Sequence, residues 1–178
     1  GNLLVTIERD RSNYEIHAQF NRFLINGWLL SNQMPLNLRD TMITGQIDMN
    51  TSGQIAHDIY YNLVGTLDIT FSGGSVSGIG LDEFYASARN ITSMNAEYAL
   101  ERALSGGETR LKQMQIFGDY EHGDFISTKP VRFSVRHADG IGGLAIKDGF
   151  MTAEFDLTLR GTAPVPATIQ LGIMPNGE

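Results

Sequence analysis

Hydrophobic and polar residues alternate along most of the chain, most clearly between Met151 and Arg160. Every second position there is apolar, and the positions between them carry Thr, Glu, Asp or Arg. A period of two places successive side chains on opposite faces of a strand. The same alternation recurs in four further segments: 14–20, 43–50, 66–71 and 131–136. The pattern therefore predicts a sheet with one apolar face and one polar face.

Short segments rich in Gly and Asp separate these predicted strands. Such residues readily adopt the positive φ that tight turns require. The turns are predicted at Ser72-Gly73-Gly74-Ser75, Glu121-His122-Gly123-Asp124, Ala138-Asp139-Gly140 and Lys147-Asp148-Gly149. Since short connections join antiparallel neighbours, we expect hairpins, with the chain returning over 76–81 after the first turn.

Three segments have helical rather than strand periodicity. Leu81 to Ile91 places apolar residues on one stripe, and so does Ser93 to Leu104, which ends at a pair of glycines. A shorter helix is predicted over Gln54 to Asn62. The prediction is an α+β fold, mainly antiparallel β: a curled or half-barrel meander sheet with two or three short helices that cover part of its apolar face.

About ten predicted strands present more apolar surface than two or three short helices can cover. The sheet could curl on itself, a second sheet could pack on it, or a ligand or neighbouring segment could fill the groove. The residues predicted to form the apolar groove or core face are Leu67, Ile69, Phe71, Val131, Phe133, Val135, Phe155, Leu157 and Leu159.

The composition narrows the function classes. The chain has 178 residues, of which 42% are hydrophobic, which is enough for one domain over residues 1–178 with a sizeable core. A formal net charge of −7 argues against binding to nucleic acid, which requires a surface dense in Lys and Arg. The absence of cysteine excludes disulfides and thiolate chemistry. We find no apolar stretch of the roughly 18 residues that cross a bilayer.

Signals for catalysis or cofactors are weak. Gly73 and Gly78 have nearly the spacing of a phosphate-binding loop, but Ile79 stands where that loop needs its lysine. Asp119, Glu121, His122 and Asp124 form the densest group of candidate metal ligands, on a predicted hairpin tip, and a solvated turn explains them better. We therefore nominate no catalytic residue, no metal ligand and no cofactor, and expect a protein that is not an enzyme.

The order of the strand and turn motifs resembles the C-terminal region of AsmA-like bacterial envelope proteins, which are related to TamB. The resemblance covers roughly residues 35–171, and its most recognisable part is the Gly78-Ile79-Gly80-Leu81 turn into a helix. The matching segments are 43–52, 63–81, 107–111, 116–125, 131–135, 142–146 and 149–159. The resemblance implies a piece of a longer periplasmic protein, anchored in the inner membrane by an N-terminal helix outside this chain, with an extended curled sheet whose concave face is apolar.

Two functions remain open. The resemblance and the alternation together favour a non-enzymatic module for phospholipid transport or outer-membrane assembly, whose partners are phospholipid or other envelope proteins. The alternative is a closed structural or protein-interaction domain whose apolar face is entirely core. An open apolar groove favours the first function, and a helix-capped closed core favours the second.

Overall fold

The computed structural model describes residues 1–28, 37–88, 98, 106–148, 150–160 and 168–173, with the backbone alone for 27–28, 86–88 and 168–173. The strands are β1 (Asn2–Asp10), β2 (Asn13–Trp28), β3 (Asn37–Ser52), β4 (Val64–Ser72), β5 (Ser75–Ser77), β6 (Glu108–Glu121), β7 (Asp124–Ser127), β8 (Val131–Val135), β9 (Ala138–Lys147), β10 (Phe150–Leu159) and β11 (Thr168–Ile173). The helices are α1 (Ala56–Tyr61) and α2 (Leu81–Ala88). The fold is thus mainly antiparallel β with few short helices.

The five alternating segments lie in strands as predicted, apart from Arg136 and Arg160, which directly follow β8 and β10. The helices α1 and α2 confirm the predictions for 54–62 and for the described part of 81–91. The helix predicted over 93–104 lies outside the described residues, except for Tyr98, which is helical.

One sheet contains all the strands, in the order β1-β2-β3-β4-β6-β7-β9-β10-β11. The remaining two strands, β5 and β8, lie in line with β4 and β7. Strand β5 pairs with β3 and β6, just as β4 does. Strand β8 pairs with β6 and β9, just as β7 does. Ser72 of β4 faces Met42, and Ser75 of β5 faces Arg39, so β5 continues β4 in the same register along β3. The pair β4 and β5 therefore occupies one line of the sheet, meaning one position in the strand order, and so does the pair β7 and β8. With each pair counted as one line, the sheet is an antiparallel meander in chain order.

The prediction that Gly73-Gly74 closes a hairpin is wrong. Both glycines have the positive φ of a hairpin turn, 72° and 77°. The chain nevertheless continues in the same direction because both neighbouring strands pair with it. The Gly73 amide donates to Lys112 O at 3.0 Å, and the Leu111 amide donates to Gly74 O at 3.1 Å. Asp40 on β3 also has positive φ, 52°, so β3 and the junction of β4 with β5 share one bend.

The turn predicted at Ala138-Asp139-Gly140 is also misplaced. These residues begin β9, and the chain reverses one step earlier, between Val135 and Ala138. Gly140 is a glycine for packing reasons, because a Cβ there would lie 2.2 Å from a ring atom of Phe133 on β8. Local turn chemistry and close interstrand packing both select glycine, and the sequence pattern does not distinguish them.

The other two predicted turns are present. Glu121 pairs with Asp124 across a two-residue connection in which His122 and Gly123 both have positive φ, 53° and 94°. Lys147 pairs with Phe150, and Asp148 between them has a φ of 51°. These turns place the β6–β7 and β9–β10 connections at the same end of the sheet as the start of β4, since Val64 faces Glu121.

The core lies on the apolar face of the sheet, where side chains from β3 to β10 pack together. Helix α2 contributes buried Leu81 and Phe84, whereas α1 buries none of its residues. On β10 the buried positions are Met151, Ala153, Phe155 and Leu157, and the residues between them are exposed. The apolar positions of the two-residue period therefore face the core, and the polar positions between them face solvent.

Candidate functional site

Cross-strand register assembles the apolar face from residues that are far apart in the sequence. One row of directly facing residues crosses six strands, from β3 to β10: Ile43, Phe71, Met114, Phe133, Gly140 and Leu157. Directly opposed residues project to the same face of a sheet, so the row is continuous. The Phe133 ring meets the Phe155 ring edge-to-face, with the centroids 5.2 Å apart.

A partly open cavity of about 320 Å³ lies against this face. Its walls are almost entirely aliphatic and aromatic side chains from β3 to β10 and from the start of α2. An apolar cavity of roughly 150 Å³ accommodates benzene, and ligand sites typically occupy about 300–1,000 Å³. The cavity is thus large enough to hold part of an apolar ligand.

Most of the predicted face residues border this cavity. Seven of them line it: Leu67, Ile69, Phe71, Val131, Phe133, Val135 and Phe155. Leu157 is fully buried in the adjoining core, and Leu159 packs against that core while partly buried. Neither of these two leucines lines the cavity.

Several lining residues were not among the predicted ones. Leu38, Ile79 and Leu111 are buried and line the cavity close to the shared bend and the start of α2. Leu111 carries a usable signal, because it lies between the exposed, charged Arg110 and Lys112 in the alternation of β6. Ile79 carries none, since it lies in the connection between β5 and α2, outside any periodic segment.

The hydroxyl group of Thr109 is hydrogen-bonded at this end of the cavity. It is almost completely buried, yet its hydroxyl donates to Ile79 O and accepts from the Leu81 amide at 2.8 Å. Leu81 is the first residue of α2, so the hydroxyl satisfies one of the amides that a helix start leaves unpaired. The threonine therefore attaches α2 to β6 without leaving an unpaired polar atom on the apolar wall.

At the opposite end, the cavity reaches Tyr120 and Gly123 of the β6–β7 hairpin. Burial and a hydrogen bond to Tyr60 raise the pKa of the Tyr120 hydroxyl above its usual value. Because a phenol with a raised pKa stays protonated at neutral pH, this end of the cavity carries a neutral hydroxyl.

The four histidines lie on separate elements. His17 Nδ1 lies 2.7 Å from Asp48 Oδ1 on the neighbouring strand, and this hydrogen bond is the main cause of the raised pKa of His17. Rings stack in two other cases, His57 with Tyr61 and His137 with Tyr85. The His122 ring lies 5.2 Å from that of Tyr61. Within the described ranges, we find no group of three or more His, Asp or Glu side chains arranged to hold a metal ion.

None of the helices in the described part of the chain has the length and hydropathy needed to cross a bilayer. Comparison of the chain with protein-family models, with curated proteins and with solved structures finds no match.

Proposed function

We propose that this protein is a non-enzymatic lipid-binding module. It holds an acyl chain in the apolar cavity lined by strands β3 to β10 and the start of α2. The observation that carries the proposal is the chemistry of the cavity wall, which is almost entirely apolar across eight strands and the start of α2, and in which the buried Thr109 hydroxyl is internally satisfied. An acyl chain requires an apolar, elongated site without directional polar groups. A polar substrate or a charged cofactor would find few partners there.

The apolar wall supports an occupant. The cavity is partly open, so its apolar side chains meet solvent when it is empty. Removal of apolar surface from water is favourable by roughly 25 cal/mol per Å², so an apolar ligand that covers the wall gains this free energy.

A curled sheet is part of the proposal. Leu38 on β3 and Met151 on β10 line the same cavity, although four lines of the sheet lie between their strands. At about 4.8 Å per line, a flat sheet would hold these strands roughly 24 Å apart. Their shared cavity supports a half-barrel curvature of the meander, with α2 covering part of the apolar face.

We further propose that the lipid is a phospholipid and that the module acts in phospholipid transport or outer-membrane assembly in the bacterial periplasm. This assignment rests on the resemblance to AsmA-like proteins. It includes their membrane anchor, which would lie in a longer protein containing this chain.

A fluorescent long-chain fatty acid, titrated into the purified protein, tests the proposal. Val76→Trp places an indole in the cavity and is expected to weaken binding about tenfold, which corresponds to ~1.4 kcal/mol. Val64→Trp is the matched control, because Val64 is also half-buried on the same line of the sheet but does not line the cavity. Failure of the folded wild-type protein to bind the probe, or equal weakening by both substitutions, would contradict the proposal.

The alternative, a protein-interaction domain, is favoured by β1. This strand pairs with β2 alone among the described strands, and its Leu3, Leu4, Val5 and Ile7 are exposed. Such an edge can add a strand from a partner. Self-association of the protein that disappears in Val5→Pro, together with no uptake of the fatty acid, would favour this alternative.

A further inference from the structure

Three connections meet at the end of the sheet where the cavity reaches Tyr120. They are the segment 52–63, which contains α1, the hairpin tip 121–124, and the segment 147–150, where β9 turns into β10. The His122 amide donates to Leu63 O at 3.2 Å, and the Asp148 amide donates to Asp124 Oδ1 at 3.0 Å. These bonds join the three connections into one surface, here called the tyrosine rim.

The tyrosine rim exposes four large apolar side chains. Their exposed fractions are 60% for Ile55, 62% for Tyr60, 58% for Tyr61 and 58% for Phe150. Helix α1 has no buried residue, so its aromatic side chains are not needed for the core. Clustered exposed apolar groups of this kind mark interaction surfaces.

The two tyrosines are held in place by neighbouring side chains. The Tyr61 ring stacks with His57 at a centroid distance of 6.4 Å and meets His122 at 5.2 Å. Tyr60 bonds to the Tyr120 hydroxyl, and its own hydroxyl would lie 3.8 Å from a Cβ placed at Gly123. Tyrosine combines an apolar ring with a polar tip, which suits the boundary between lipid and water. A preordered ring also loses little conformational freedom on binding.

The tyrosine rim is continuous with the cavity. Tyr120 and Gly123 line the cavity on one side and approach Tyr60 on the other. The tyrosine rim therefore lies directly beside this end of the cavity.

The charges of the tyrosine rim distinguish between bilayer types. Its carboxylates are Asp58, Glu121, Asp124 and Asp148, and among the described residues they outnumber the two cations at this end, Lys147 and Arg11. Arg11 lies in the adjoining β1–β2 turn, where Ser12 O accepts from the Gly53 amide at 2.9 Å. Carboxylates repel an anionic bilayer and attract the cationic group of a zwitterionic lipid. Tyrosine faces also bind quaternary ammonium groups through cation–π contacts. The surface is thus complementary to choline headgroups.

We propose that the tyrosine rim docks on the surface of a zwitterionic phospholipid bilayer and aligns the cavity with it. Docking itself depends only on the exposed side chains of the rim, while the purpose of docking, acyl-chain entry, rests on the function proposed above. Ile55, Tyr61 and Phe150 contact the acyl–headgroup boundary, and the carboxylates lie among the choline groups.

Flotation of the protein with phosphatidylcholine vesicles tests this proposal. The double variant Ile55→Ser/Tyr61→Ser removes two exposed rim side chains and is expected to lower vesicle partitioning about tenfold. Leu4→Ser/Leu24→Ser is the matched control, because these leucines are 60% and 52% exposed and lie outside the rim. The control double variant should float like the wild-type protein.

Several outcomes would overturn docking: no flotation of the wild-type protein, equal loss in both double variants, or tighter binding to phosphatidylglycerol than to phosphatidylcholine vesicles. Titration with the soluble fatty acid separates this proposal from the proposed function. The rim variant should bind the free fatty acid as the wild-type protein does, and Val76→Trp should still float. Loss of fatty-acid binding in the rim variant would contradict a role confined to docking.

Discussion

The ring of Phe133 on β8 lies directly over Gly140 on β9, and a Cβ at Gly140 would come within 2.2 Å of that ring. The two residues face each other across the strands, and the ring lines the cavity. The glycine therefore determines where the phenylalanine can lie, and the shape of the cavity wall depends on both.

Gly140→Ala should lower the free energy of unfolding by about 1–3 kcal/mol, because the added methyl group must displace Phe133 within a packed wall. Urea denaturation measures the change. Gly143→Ala on the same strand is the control, since its nearest neighbour would be Ser127 Oγ at 3.9 Å. Equal destabilisation by both substitutions would contradict the packing role of Gly140.

Phe155 and Asp156 test the division of β10 into two faces. Phe155 is buried against Phe133, and Asp156 is exposed on the opposite face. Phe155→Asp places a carboxylate in the apolar core, so we expect a loss of more than about 4 kcal/mol or an unfolded protein. Asp156→Ala should change stability by less than about 0.5 kcal/mol. Thermal unfolding followed by circular dichroism distinguishes the two, and similar effects would be incompatible with this strand.

Arg160 fastens the end of β10 to the β8–β9 connection. Its guanidinium donates to both carboxylate oxygens of Asp139, at 2.8 and 3.0 Å, and to Val135 O at 2.8 Å. Because the pair is almost half exposed, Arg160→Ala should cost only about 1 kcal/mol. Arg160→Lys should recover little of this, since an ammonium group cannot reproduce the fork of donors.

Arg136→Ala, in the same connection, is the control for Arg160. Its side chain is exposed, and the substitution should leave the urea midpoint unchanged. Full recovery of stability by lysine at 160 would show that charge alone, and not the geometry of the guanidinium, fastens the connection.

His17 and Asp48 form a pH-dependent contact. The hydrogen bond that His17 donates to Asp48 raises the pKa of His17 above its usual value near 6.5, with smaller contributions from the charges of Asp48 and Glu15. A pKa that is raised in the folded state means that the contact stabilises the protein fully below the unfolded pKa. This contribution is lost as the pH rises through the folded pKa.

Asp48→Asn should therefore lower the pKa of His17, measured by NMR titration of its ring protons. The difference in urea midpoint between wild-type protein and variant should be largest below about pH 6.5 and shrink at higher pH. Asp156→Asn, a carboxylate on a distant strand, should leave the titration of His17 unchanged. An unaltered His17 titration in Asp48→Asn would contradict the assigned contact.

The alternation in the sequence was sufficient to assign five of the strands, β2, β3, β4, β8 and β10, and their faces. Residues such as Phe155 and Asp156 fall on opposite faces because a strand has a period of two, which is a property of the local backbone. The short helices at 56–61 and 81–88 follow from a local period as well. These features need no knowledge of what lies across the sheet.

The sequence by itself thus determined which side chains of a strand share a face. The tertiary structure decided how the strands are connected and which residues of different strands meet. Gly73-Gly74 has the chemistry of a hairpin turn, but pairing with β3 and β6 makes it a bend. The sequence predicts a turn at Gly140, yet the residue lies in β9 and must be glycine because of the ring of Phe133. Leu38, Ile79 and Leu111 meet in one cavity only through long-range register. The physical reason is that pairing and close packing depend on partners distant in sequence, and these partners override local preferences.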